Sequence, residues 1–130
     1  MILDTCFIID VLHKDKNAIN KLKELTRAQE SQILTTVNVF ELFTGIFQYA
    51  RPEHERKNVM DIINSQIIAP LDFESSTKGG EIDGQLARKG QKSDQQNSII
   101  AGIALTKKEK ILTRNIKDFS KIAGLQVETY

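Results

Sequence analysis

"MILDTCFIID", residues 1–10, decides how the rest of the chain is read. Met1, Ile2 and Leu3 form an apolar run that stops on Asp4, and a second apolar run, Phe7, Ile8, Ile9, Val11 and Leu12, follows at once. A carboxylate lodged between two core-forming segments is costly unless something pairs with it. The pattern predicts a strand over about residues 1–4 with an acid at its carboxyl end.

Beyond this stretch, apolar periodicity alternates between strand and helix. "NAINKLKELTRAQ" (17–29) has helical spacing and "QILTTV" (32–37) is β-rich. In "NVFELFTGIFQYA" (38–50), Val39, Phe40, Leu42, Phe43, Ile46 and Phe47 recur at the period of a helix. Pro52 suits the first turn of a helix through "PEHERKNVMDIINSQ" (52–66), and "IIAP" (67–70) reads as a short buried strand ended by proline. A polar helix with a Gly-Gly interruption is expected in "STKGGEIDGQLARKG" (76–90), and a helix with a small-residue face in "SDQQNSIIAGIALTKKE" (93–109). "KILTR" (110–114) reads as a strand, "DFSKIAG" (118–124) as a short helix and "LQVETY" (125–130) as a last strand. This alternation predicts one α/β domain over residues 1–130, with a mostly parallel sheet of about four to five strands flanked by helices.

Composition excludes several classes. With 130 residues, 40% of them hydrophobic, the chain can build one real core. The lone Cys6 permits no internal disulfide, no leader pattern precedes the first strand, and no apolar stretch approaches a membrane span, so a cytoplasmic, non-membrane protein is expected. Eighteen Lys and Arg nearly balance 17 Asp and Glu. Their distribution is uneven: residues 88–121 carry Arg88, Lys89, Lys92, Lys107, Lys108, Lys110, Arg114, Lys117 and Lys121 against Asp94, Glu109 and Asp118. That asymmetry suits a phosphate backbone docking on one side, although lysines at a helix end also simply offset the dipole.

Ligands of such sheets bind beyond the carboxyl ends of the strands. Asp4, Glu41, Asp94, Asn97, Asn115 and Asp118 all fall at that edge. Carboxylates about 4 Å apart repel by roughly 4 kcal/mol at an effective dielectric of 20, so several gather only around a cation or by taking up protons. Oxygen donors without histidine or thiolate point to Mg²⁺ or Mn²⁺. Structural roles compete: Ser93 and Gln96 form a capping-box pattern that makes Asp94 an ordinary first-turn acid, and Asn115 can be an N-cap with Asp118 at N3. If Asp4 is a ligand, Asp4→Asn is expected to raise the melting temperature of the metal-free protein or leave it unchanged, since a repelling charge goes. His13 and His54 lie in charged surroundings unsuited to an acid–base pair, and Cys6 reads as a small core residue. No glycine-rich phosphate loop follows a strand, and the aromatic residues show no spacing suited to base stacking.

These segments resemble a family. "MILDTCFIIDVL" is similar to the opening of a PIN domain, "TTVNVFELFTGI" to its second acidic motif, "NSIIAGIAL" to its third and "ILTRNIKDFSKIAGLQVETY" to its closing block. In size the chain is most similar to the VapC-type toxins of toxin–antitoxin pairs. The resemblance implies a PIN-like three-layer sandwich and a Mg²⁺- or Mn²⁺-dependent endoribonuclease, often a homodimer, held inactive by a cognate antitoxin. It places Asp4, Glu41 and the Asn115–Asp118 turn on the family's acids, with Thr5 as the small hydroxyl beside the first. One position departs: the family carries an acid where this chain has Asn97, which offers an amide oxygen but no charge, and Asp94 one turn earlier could substitute. Metal would sit on Asp4 and Glu41, completed by Asp94 or Asn97 and by Asn115 and Asp118, with Lys92, Arg114 and Lys117 contacting RNA. Helices over "AINKLKEL" and "NVMDII" would wall a groove for an amphipathic antitoxin segment. A PIN nuclease of RNA maturation, or a catalytically weak PIN fold acting as a protein-binding module, stays open at this point.

Overall fold

The computed structural model describes residues 1–48 and 52–130; Tyr49 and Ala50, at the end of the helix expected from residue 38, lie outside the described residues. Along the chain run β1 (Ile2–Leu3), α1 (Thr5–Leu12), α2 (Lys16–Arg27), β2 (Ile33–Thr35), α3 (Thr36–Phe47) and α4 (Pro52–Ile63). They are followed by β3 (Ile67–Ala69), α5 (Phe73–Arg88), α6 (Gln95–Lys107), β4 (Ile111–Leu112), α7 (Ile116–Phe119) and β5 (Val127–Glu128). The five strands form one parallel sheet in the order β3-β2-β1-β4-β5.

Strand side chains alternate between faces, which splits the core in two. Leu3, Leu34 and Leu112 pack with Phe7, Leu25, Leu42, Ile46 and Val59 under α1–α4. Ile2, Ile33 and Ile111 point the other way, against Ile82, Ile100, Ile103 and Phe119 of α5–α7. The central strands are buried on both faces, which explains why they are apolar without alternation. The three-layer α/β sandwich expected from sequence is what forms.

Four details differ from the sequence reading, the first being that the short helix expected over residues 118–124 lies earlier, as α7 at Ile116–Phe119, with turns following it. The strand over "IIAP" forms but is not buried: Ile67 is 57% and Ile68 40% exposed, because β3 is an edge strand and only Ala69 reaches the core. The Gly-Gly pair does not interrupt α5, which runs unbroken from Phe73 to Arg88. Instead Gly79 lets α6 approach: a Cβ on Gly102 would fall 2.6 Å from Gly79 N and 2.6 Å from the Ser75 carbonyl oxygen, so the two helices touch backbone to backbone. Finally, α6 is capped by Asp94 rather than Ser93, with the Asp94 carboxylate accepting from Gln96 N at 3.3 Å. Asp caps as well as Ser, and the chain uses the later residue; Ser93 Oγ is buried and finds no partner among the described residues.

Candidate functional site

The strand order reverses direction at the neighbouring pair β1 and β4, and the crevice at their carboxyl ends is where an open parallel sheet presents its ligands. Asp4 follows β1 directly and caps α1. Its Oδ1 accepts from Thr5 N at 2.8 Å, and its Oδ2 accepts from Thr113 Oγ1 at 2.6 Å and from the Cys6 thiol at 3.2 Å. An acid can end this strand because it caps α1 on one side and accepts from the hydroxyl after β4 on the other. The same bonding reverses the expectation for Asp4→Asn, since an amide would turn N–H groups toward at least one donor that now has an acceptor.

Glu41 arrives from the next helix. The Thr35–Asn38 capping box fixes the start of α3 directly after β2, and Glu41 follows on that rigid element, half-buried. Thr5 Oγ1 donates to Glu41 Oε2 and accepts from Asn38 Nδ2 at 3.0 Å. Burial pushes the Glu41 carboxyl above the ordinary glutamate range, the Thr5 hydroxyl pulls it partly back, and the negative charges of Asp4 and Asp94 push it up again. Among the described residues no cation offsets these charges.

Asp94 and Asn97 occupy the first turn of α6, Asp94 exposed and Asn97 half-buried. The structure therefore brings Asp4, Thr5 and Glu41 into one bonded unit, with the Asp94 charge in range. The Asn115–Asp118 turn joins differently. Asn115 N donates to Thr113 Oγ1 at 2.9 Å, tying the turn to Asp4 through one hydroxyl. Asn115 heads α7 without a side-chain cap bond; its Nδ2 donates to Asp118 Oδ2 at 3.0 Å, and Lys121 Nζ pairs with Asp118 Oδ1 at 3.1 Å. These two bonds hold the Asp118 carboxyl below its ordinary range, so its charge is satisfied locally rather than pooled with Asp4 and Glu41.

The basic residues do not form one side. Lys107 and Lys108 stand at the C-terminal end of α6 and Lys92 just before its start, about 20 Å apart for a 13-residue helix. Lys110 pairs with Glu128 at 3.8 Å, and Arg114 pairs through Nε with Asp10 at 2.9 Å. Lys92 and Lys117 are exposed. Phe40 and Phe47, part of the helical pattern of α3, point outward at 63% and 57% exposure.

Sequence reasoning missed Thr113, Asn38 and Tyr130. Thr113 was findable, since it ends β4 as Asp4 ends β1. Cys6 is half-buried rather than core, and burial followed by the Asp4 charge pushes its thiol up, keeping it protonated and inert.

Among the described residues no three side chains of Asp, Glu, His or Cys are grouped closely enough to cage a metal ion. Two carboxylates with an amide nearby still fit a hard divalent cation, because Mg²⁺ is commonly bound through one or two carboxylates and keeps several waters. On the other side of α1, an open cleft of about 470 Å³ is lined by Phe7, Val11, Leu22, Ile62 and Ile67. Both helices expected to wall a groove, α2 and α4, contribute to it. Among the described residues no helix is long and apolar enough to cross a membrane.

No protein-family model matches the chain. The tRNA(fMet)-specific endonuclease VapC of Salmonella typhimurium is 25% identical over 116 residues, covering 88% of each chain. Among solved structures, VapBC2 from Rickettsia felis bound to a DNA fragment from its promoter superposes with a TM-score of 0.90 at 21% identity, over 99% of this chain and 97% of that one. DNA-bound VapBC from Salmonella typhimurium gives 0.87 at 25% identity, over 98% and 96%. In sequence the chain is thus similar to VapC endonucleases, and in fold to the toxin–antitoxin structures that contain them.

Proposed function

We propose that this protein is the endoribonuclease toxin of a toxin–antitoxin pair and that it hydrolyses RNA phosphodiesters at the carboxyl edge of its sheet. The observation that carries the reading is the Asp4–Thr5–Glu41 unit, where two acids from different helices are joined at one place and the negative charges of Asp4 and Asp94 press on Glu41. Relatives it matches by sequence are endonucleases, and solved structures it resembles are VapBC proteins.

Asp4 and Glu41 would hold a Mg²⁺ or Mn²⁺ ion, with Asn97 and Asn115 as neutral oxygen donors. When bound, such an ion supplies Lewis acidity and neutralises charge developing on a phosphodiester under in-line attack. The protein's part is positional. Thr113 fixes the Asp4 carboxylate, Asn38 fixes the Thr5 hydroxyl, and Thr5 in turn fixes Glu41, so the donors are set before substrate arrives. Lys92, Arg114 and Lys117 supply positive charge for the RNA backbone, while Asp118 serves the α7 turn. The antitoxin would dock an amphipathic segment in the cleft between α1, α2 and α4. Homodimerisation belongs to the same proposal.

RNA cleavage should stop in EDTA and return with Mg²⁺ or Mn²⁺, leaving 5′-phosphate ends. Products with cyclic phosphates formed in EDTA would sink the metal reading.

A further inference from the structure

Asp10 is buried at 7% exposure, in the helix that Asp4 caps, and two groups converge on its Oδ2. Tyr130 OH donates to it at 2.6 Å and Arg114 Nε pairs with it at 2.9 Å. Tyr130 is itself anchored, its ring meeting the fully buried Phe7 ring edge-on with centroids 4.8 Å apart. The Arg114 side chain nevertheless remains 57% exposed, with Nε the atom that pairs with Asp10 and the Cys6 sulfur also beside the guanidinium. A buried carboxylate needs a partner, and lysine would serve for charge alone. A guanidinium held at Nε keeps its outer fork of N–H donors for a second anion, in the geometry that matches phosphate.

The place matters as much as the chemistry. Arg114 directly follows Thr113, whose hydroxyl donates to Asp4. Asp10 lies six residues beyond Asp4 on α1, about 9 Å along the helix axis. The guanidinium is thus tethered beside the two acids but too far along α1 to share their phosphate.

We propose that Arg114 grips an RNA backbone phosphate adjacent to the scissile one, and that Asp10 and Tyr130 are positioning residues that hold its guanidinium there. This rests on the nuclease reading above.

Charge alone and positioning predict opposite signs for one variant. Asp10→Asn removes a negative charge from the RNA-binding edge, so simple electrostatics would tighten binding, whereas loss of the tether would weaken it. The test is the affinity of the full protein for a labelled single-stranded RNA in EDTA, followed across salt concentration, with melting temperature in parallel. Arg114→Ala is expected to weaken binding about tenfold at low salt, as for one charged hydrogen-bonded contact. It should also flatten the log affinity against log salt slope by about 0.7, as for one phosphate. Asp10→Asn and Tyr130→Phe are expected to weaken binding several-fold with the slope kept, and Arg114→Lys to keep the slope without restoring affinity. Tyr130→Phe preserves the ring on Phe7 and so guards against a folding defect. Tighter or unchanged binding by Asp10→Asn, or an unaltered slope in Arg114→Ala with only a lower melting temperature, would make the tether structural and overturn the proposal alone. Wild-type protein that binds no RNA would overturn it together with the nuclease reading.

Discussion

Two helix starts meet at the carboxyl edge of the sheet, and they are built differently. At α1, Asp4 is buried at 7% exposure and accepts from the Thr5 amide, the Thr113 hydroxyl and the Cys6 thiol. At α6, Asp94 is exposed, its capping bond is 3.3 Å long, and Asn97 one turn on carries no charge. The same residue type caps both helices, yet one carboxylate is woven into the fold and the other is nearly free of it. The structural role and the proposed metal-binding role therefore coincide at Asp4 and are separable at α6.

Asp4→Asn should break this contrast most severely. Cleavage should fall to background, and stability should drop by about 1–3 kcal/mol, because a buried donor is left without an acceptor. A thermal melt beside cleavage per folded molecule checks both; an unchanged melting temperature would show that the Thr113 and Cys6 bonds contribute nothing net.

Glu41→Gln should also abolish cleavage but move stability the other way. The folded carboxyl titrates above its unfolded value, so Glu41 favours the folded state only while protonated, and that contribution is lost as pH rises through the raised folded value. The variant should melt a few degrees above the metal-free wild type at neutral pH, the gain shrinking to nothing below the ordinary glutamate range, where both are uncharged. A loss of stability at neutral pH would instead make Glu41 a structural acceptor for Thr5.

At α6 the effects should be smaller and should fall on metal and rate. Asn97→Asp restores an acid to the site and should tighten Mg²⁺ binding and raise cleavage several-fold, read by calorimetry and initial rates. Asp94→Ala should cost no more than an N-cap, about 0.5–2 kcal/mol, with a modest effect on activity. If Asp94→Ala abolishes activity and Asn97→Asp depresses it, the ligand is Asp94, and the two helix starts are more alike than their hydrogen bonds suggest.

Much of this was readable from the chain alone, for a physical reason. Doubly buried strands, helical periodicity and the punctuation of Pro52 or Gly90 are local signals, so the elements, their order and the α/β class follow without knowing what touches what. Asp4 and Glu41 were legible because an acid inside an apolar stretch is anomalous wherever it occurs.

Only the tertiary structure could decide partners and edges. Thr113 reaches Asp4 across 109 residues and Tyr130 reaches Asp10 across 120, and neither pairing leaves a mark in local sequence. The apolar "IIAP" is exposed because strand order puts β3 at the rim, and α6 holds apart lysines that stand close in sequence. Asp118 reads in the sequence as a site acid, and only the fold adds that its carboxylate accepts from Asn115 and pairs with Lys121. Periodicity tells a residue which face it occupies, whereas what waits on that face is set by packing among segments far apart in the chain.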